Sequence, residues 1–421
     1  MSEETKTGHD PTAAAVVSAT GAVASPMPPA SPASERFSLG QFIRGDLGAL
    51  PVLIALIVIA IFFQVATKGL FLSAVNLSNL AGQIITIGVV SLGAVLVLLI
   101  GEIDLSLAAV ATFCGAIMGI LAQRHGWPAI PAILGGLAAG LIIGFANGIF
   151  VAVLRMPSFI VTLAGLIAYQ GAVSQILNPQ TTLPISNNTI DAIAVTNLPD
   201  YLGIGLPILA LVVYMASVIV DYVARQRRHL AVKPVGQIAV QLVIATVVVI
   251  AAVVLFESPA SGGVPLTTVV LVGLIIVFWL ILTRTAFGRH VYAVGGNVEA
   301  ARRAGIRVVG LKIALFTLCS GLAALAGILE ASREFSAPAQ VDQTLLLNAI
   351  AGAVVGGVSL FGGRGSVWAV VLGSLIVGSL INGLALLNQP IAVEEMVEGA
   401  VLLLAVLADA LLRRRSQTGY R

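Results

Sequence analysis

The sequence predicts an all-α polytopic membrane protein, on three grounds: composition, the length of its apolar runs and the placement of positive charge. Of 421 residues, 58% are hydrophobic and 10% charged, and the mean hydropathy is +1.04. Soluble domains carry about a quarter charged residues. Runs near the roughly 20 apolar residues needed to cross a bilayer as a helix occupy 51–66, 80–100, 105–122, 130–154, 158–177, 204–224, 237–256, 266–283, 311–330, 345–361, 367–387 and 393–412. That gives about 12 transmembrane helices within one domain at 47–415, with tails at 1–46 and 416–421.

Orientation follows from Lys and Arg, because short basic loops resist translocation. With the N-terminus inside, the cytosolic loops hold Arg155, then Arg225, Arg227, Arg228 and Lys233, then a basic loop at 284–310, then Arg364 and the tail Arg413–Arg415. The opposite loops 178–203 and 257–265 hold no Lys or Arg, so both termini are expected inside. Lys68, Arg124 and Arg333 are exceptions on the outer side. Residues 1–34 are rich in Ala, Pro, Ser and Thr without a basic, apolar leader, and are expected to form a disordered cytosolic tail. The net charge of +3 belongs to the inside loops and calls for no nucleic acid. Cys114 and Cys319 both lie in apolar spans, as packing residues and not as a disulfide or metal pair, and no cofactor is called for.

Inside the basic loop, Asn297-Val-Glu-Ala-Ala-Arg-Arg-Ala-Gly305 has the marks of a short capped helix. Asn297 caps its start, Glu299 sits where the macrodipole favours an anion, Arg302 and Arg303 sit in the last turn, and Gly305 suits a left-handed stop. Val298, Ala301 and Ala304 give it a small apolar face. Two readings fit: a helix that docks into a soluble partner, or an amphipathic connector on the membrane surface.

Gly136, Gly140, Gly144 and Gly148 stand four apart in the fourth span and predict close helix packing within the chain rather than a dimer contact. Gln83, Asn147, Thr162, Tyr169, Gln170, Asn348 and Asn382 are polar groups in apolar runs, each in need of a partner. Gly101-Glu102-Ile103-Asp104-Leu105-Ser106 sets two acids in a continuous apolar region. Acids at membrane depth are costly and functional, whereas in a solvated turn Asp104 would cap the next helix. Glycines at 356, 357, 362, 363 and 365 form a parallel break between two later spans, a degenerate match to an internal repeat.

Taken together, GEIDLS at 101–106, MPSFIVTLAG at 156–165, FGRHVYAVGGN at 287–297, Glu299-Ala300-Ala301 with Gly305, and SLFGGRGS at 359–366 resemble the permease subunit of ribose- and xylose-type ABC importers. The additional spans around 204–256, an extra helix pair, are similar to the xylose-permease branch. The family more often has glycine where this chain has Glu102, so the resemblance carries Asp104 and Ser106 and not Glu102.

The resemblance implies a homodimeric pore in the bacterial inner membrane. It would receive a monosaccharide, a pentose such as xylose, from a periplasmic sugar-binding protein. A cytosolic ATP-binding-cassette ATPase would grip Glu299, Ala300, Ala301 and Gly305. Asp104, Ser106, Asn147, Thr162, Gln170 and Asn348 are then the candidates for the hinge or the translocation path. The sequence contains no GxxxxGK[ST] phosphate loop, so ATP hydrolysis is expected on a separate subunit and the chain is not itself an enzyme. An ion-coupled secondary transporter using Glu102 and Asp104, and an ABC permease for branched-chain amino acids, are the alternatives.

Overall fold

The computed structural model describes residues 50–418 apart from 229, 231, 233 and 259–261. The expected tail at 1–46 and residues 419–421 lie outside the described residues. Each of the 12 expected spans is a helix: α1 (Leu50–Ala66), α2 (Ala74–Leu98), α3 (Leu107–Gln123), α4 (Ala129–Ala152), α5 (Ser158–Leu177), α7 (Asp200–Arg227), α8 (Val235–Phe256), α9 (Leu266–Arg284), α12 (Val308–Arg333), α13 (Gln343–Val355), α14 (Ala369–Leu386) and α15 (Ile391–Thr418). Eight are long and apolar enough to cross a membrane by length and composition, and three of the others are shorter apolar helices. Five spans begin directly after a proline, at Pro128, Pro157, Pro199, Pro234 and Pro265. A residue without an N–H loses nothing at a helix start.

The span expected at 345–361 stops at Val355, because the glycines that follow cannot hold a helix. Gly357, Gly362, Gly363 and Gly365 all have positive φ. With 13 residues α13 rises about 20 Å, short of the ~30 Å hydrocarbon core.

Helix α2 is the centre of the bundle, with 78% of its apolar window buried. It packs against α12, which in turn lies along α3 and α4. The α4 glycines make that approach possible. A Cβ on Gly140 would lie 2.8 Å from the Ser320 carbonyl oxygen, and one on Gly144 would lie 2.4 Å from that of Phe316. The ladder is an internal contact, as its spacing predicts. The amides in apolar spans also pair across helices: Asn382 of α14 donates to Gln83 of α2 (3.1 Å) and accepts from Asn76 of α2 (2.8 Å). Cys114 and Cys319 are buried free thiols.

Loops gather at two ends. At one end Gly363 N donates to Leu99 O and Ile103 N to Ser158 Oγ, joining the turn at 99–106 to the break at 356–366 and to the start of α5, and Tyr292 of the basic loop donates to Gly365 O. At the other end lie two of the charge exceptions, each engaged locally. Arg124 donates to the carbonyls of Ile176 and Leu177 at the C-terminus of α5, and Arg333 pairs with Glu330 and Glu334. That end is also capped by structure that the hydropathy pattern does not show. β1 (Thr182–Pro184) pairs antiparallel with β2 (Ser336–Pro338), and α6 (Asn188–Val195) buries Ile190 while the Ile190 carbonyl accepts from Ser332 Oγ at 2.5 Å.

Helices α7 and α8 form the extra pair, tied at one end by Asn197 Nδ2 donating to Gly262 O (2.8 Å) and midway by Gln241 Nε2 donating to Tyr214 Oη (2.5 Å). Only 6% and 0% of their apolar windows are buried. A helix that is apolar all round and packs on little else is solvated by lipid tails. Single cysteines at Val247, Val248 and Val254 are expected to resist water-soluble thiol reagents in the membrane, with little background from the two buried native thiols. Fast labelling that substrate slows would instead put this pair on the translocation path.

Candidate functional site

The basic loop contains two helices, α10 (Ala286–Gly296) and α11 (Val298–Arg303). Asn297 Oδ1 accepts from Ala300 N at 2.9 Å, and Glu299 pairs with Arg302 at 3.0 Å. At the far end Gly305 has φ 85°, Gly305 N donates to Arg302 O and Ile306 N to Ala301 O. These paired bonds satisfy the last carbonyls in a Schellman stop. The expected use of the apolar face needs correction. Ala301 is buried, at 4% exposure, and Val298 is half-buried, both packed into the chain's own core. The residues turned outward are Glu299, Ala300, Arg302, Arg303, Ala304 and Gly305. Such a short helix has too few apolar positions to serve two partners, and the chain's own core takes Val298 and Ala301.

The acids at 99–106 separate in role. Helix α2 ends in a tight turn in which Gly101, at φ 74°, donates to Leu98 O. Glu102 is half-buried and forms an ion pair with Lys312, near the start of α12. Asp104 is buried, at 2% exposure, and is not the solvated carboxylate that a plain turn would give. Its Oδ1 accepts from Ser106 N at 2.9 Å and Ser106 Oγ at 2.6 Å, while its Oδ2 has no hydrogen-bond partner among the described residues. It therefore closes the turn just ahead of α3 through Ser106, near the positive end of that helix's dipole.

Neighbouring helices hold this turn in place. Thr162 Oγ1 accepts from Leu105 N at 3.0 Å and itself donates to Ser158 O. Asn147 Nδ2 donates to Ser106 Oγ at 3.4 Å, and Tyr169 Oη to Asn147 Oδ1 at 3.5 Å. Asp104, Ser106, Asn147 and Thr162, chosen separately from sequence, thus form one buried polar cluster. Gln170 and Asn348 do not join it. Gln170 lines a cavity of about 400 Å³ with Leu166, Ile167, Ser174, Gln340, Val341 and Gln343. Asn348 is buried on α13, which packs against α2, α14 and α15.

The two helix breaks meet beneath the basic loop. Gly363 N donates to Leu99 O at 2.9 Å, and a Cβ on Gly295 of α10 would lie 1.9 Å from Leu99 O and 2.6 Å from Gly363 N. Tyr292 of α10 donates its hydroxyl to Gly365 O at 2.9 Å. Burial raises the Tyr292 phenol above its ordinary value, which keeps it a protonated donor. Sequence reading took Tyr292 only as part of the 287–297 motif and Lys312 only as an inside charge, because their partners lie 73 and 210 residues away.

A bundle of apolar helices with two helix breaks in contact, and a capped, charged loop seated over both, is the architecture of a multi-pass membrane transport subunit. The family model described as branched-chain amino acid transport system / permease component matches residues 76–406, and the chain belongs to that family. It is 38% identical over 358 residues to the xylose transport system permease protein XylH of Haemophilus influenzae, covering 85% of this chain and 95% of that protein. It is 31% identical over 376 residues to the fructose import permease protein FrcC of Rhizobium meliloti, covering 89% of each. It is also 31% identical over 358 residues to the ribose import permease protein RbsC of Escherichia coli, covering 85% of this chain and 92% of that one. No solved structure matches it significantly.

Proposed function

We propose that this chain is the permease subunit of an ATP-binding-cassette importer in a bacterial inner membrane, and that it moves a monosaccharide, a pentose such as xylose. A binding protein would deliver the sugar, a separate cytosolic ATPase would supply the energy, and two copies of the chain would form the pore. The observation that carries this reading is the basic loop itself, in which the doubly capped α11 turns its charged face outward while α10 lies against both helix breaks. Sequence identity to permeases named for xylose, fructose and ribose supports the substrate class.

The family description raises branched-chain amino acids as a second substrate class. The relatives covered along most of their length are named for sugars, which favours a sugar. An ion-coupled carrier has no support among these relatives.

Docking is tested on the outward face of α11. Glu299→Lys combined with Arg303→Glu reverses two exposed charges without entering the core, and should reduce co-purification of the ATPase while leaving the permease folded. Ala301→Glu should behave differently, loosening the loop itself by burying a charge. Normal complex yield and transport in the double charge variant would remove α11 as the docking element.

A further inference from the structure

With the chain taken as an ATPase-driven permease, we propose that Tyr292, Gly295 and the Glu102–Lys312 ion pair are positioning residues that carry movement of the docking loop to both helix breaks at once. The loop reaches the breaks by two routes. Along the first, α10 touches them directly. Tyr292 holds Gly365 O at 2.9 Å, and Gly295 lies so close to Leu99 and Gly363 that no side chain fits between them. The hydrogen bond from Gly363 N to Leu99 O makes the two breaks a single unit.

Along the second route, α11 passes through Gly305 into α12, whose first turns carry Lys312. Lys312 grips Glu102, two residues before the buried carboxylate of Asp104. A push on the loop is therefore felt at Leu99, Glu102, Gly363 and Gly365 together. Backbone packed against backbone without a cushion of side chains transmits displacement, because close-packed interiors do not compress. A half-buried ion pair keeps its partners in register where an exposed pair would not.

The test is made on the reconstituted complex of permease, ATPase and xylose-binding protein in liposomes. ATPase co-purification, ATP hydrolysis and D-xylose uptake are measured for Tyr292→Phe, Glu102→Gln, Lys312→Gln and the exchange Glu102→Lys with Lys312→Glu. None of these residues lies on the exposed face of α11, so ATPase binding should be unchanged. Xylose moved per ATP should fall about 5-fold or more in the single variants. The charge exchange should recover much of the Glu102→Gln loss, which assigns the effect to the pair, and a merely structural pair would lower folded yield and leave xylose moved per ATP unchanged in the folded fraction.

Tyr292→Phe removes one hydroxyl and no volume, so it is informative even where a charge variant folds poorly. Wild-type coupling in folded Tyr292→Phe together with either glutamine variant would overturn the proposal. So would loss of ATPase binding in the single variants, since that would place these residues in docking and not in transmission. Failure of the wild-type complex to move xylose would count against the substrate reading alone, because hydrolysis stimulated by the binding protein still reports coupling in the variants.

Discussion

Gly144→Val is expected to prevent the helix bundle from assembling. A Cβ at this position would lie 2.4 Å from the Phe316 carbonyl oxygen, 2.8 Å from Ser320 Cβ and 2.8 Å from Thr317 Cα, so the obstacle is largely the backbone of α12 and cannot rotate away. Overpacking a close interior costs on the order of 3 kcal/mol, and valine adds further branches to the clash. The change also falls between α4 and the helix that packs along α2 and α3. Folded yield after size-exclusion chromatography in detergent should collapse. Gly171→Ala is the control, since nothing lies within 4 Å of a Cβ there and alanine is the better helix former. Equal stability of Gly144→Val and wild type would mean that α4 and α12 do not approach as closely as described.

Asp104→Ala should lower thermal stability and impair transport, while Asp104→Asn should fold and transport near the wild-type level. The carboxylate uses Oδ1 for both bonds to Ser106, and an amide oxygen accepts the same two hydrogens. Alanine leaves the Ser106 amide and hydroxyl to find other partners in a buried site, a loss of about 1 kcal/mol by analogy with helix caps. At 2% exposure the carboxylate faces the turn and not an open path, which favours a hinge role over sugar contact. Thermal unfolding and xylose uptake on the same preparations separate the two roles. A well-folded Asn variant that binds its ATPase and binding protein yet moves no sugar would make Asp104 a ligand.

The local features were legible in the sequence because their causes are local. Asn297 and Gly305 set the ends of α11 through bonds that reach only a few residues, and the α4 glycines announce a close helix contact by spacing alone. Features that depend on distant partners were not legible. The three residues of β1 form a strand only because Ser336–Pro338 lies beside them, and α6 is fixed where Ile190 meets α12. The apolar stripe of α11 was visible, but not that the permease itself buries it. At the polar cluster, residue type in an apolar run picked out Asn147 and Thr162 as groups in need of a partner, while Asp104 was weighed as a turn residue and Ser106 came with the GEIDLS resemblance; the fold brings the four together. Residue type also picked out Gln170 and Asn348, whose surroundings are different. Membrane cost identifies a polar residue that needs a partner, and only the fold says which one it finds.

The most direct test of the central claim is D-xylose uptake by the purified permease, reconstituted with its ATPase and binding protein in liposomes that hold no ion gradient. Uptake against a concentration difference should require ATP and the binding protein together, and should be indifferent to proton and sodium ionophores. Accumulation driven by a proton or sodium gradient in the absence of ATP would contradict the account.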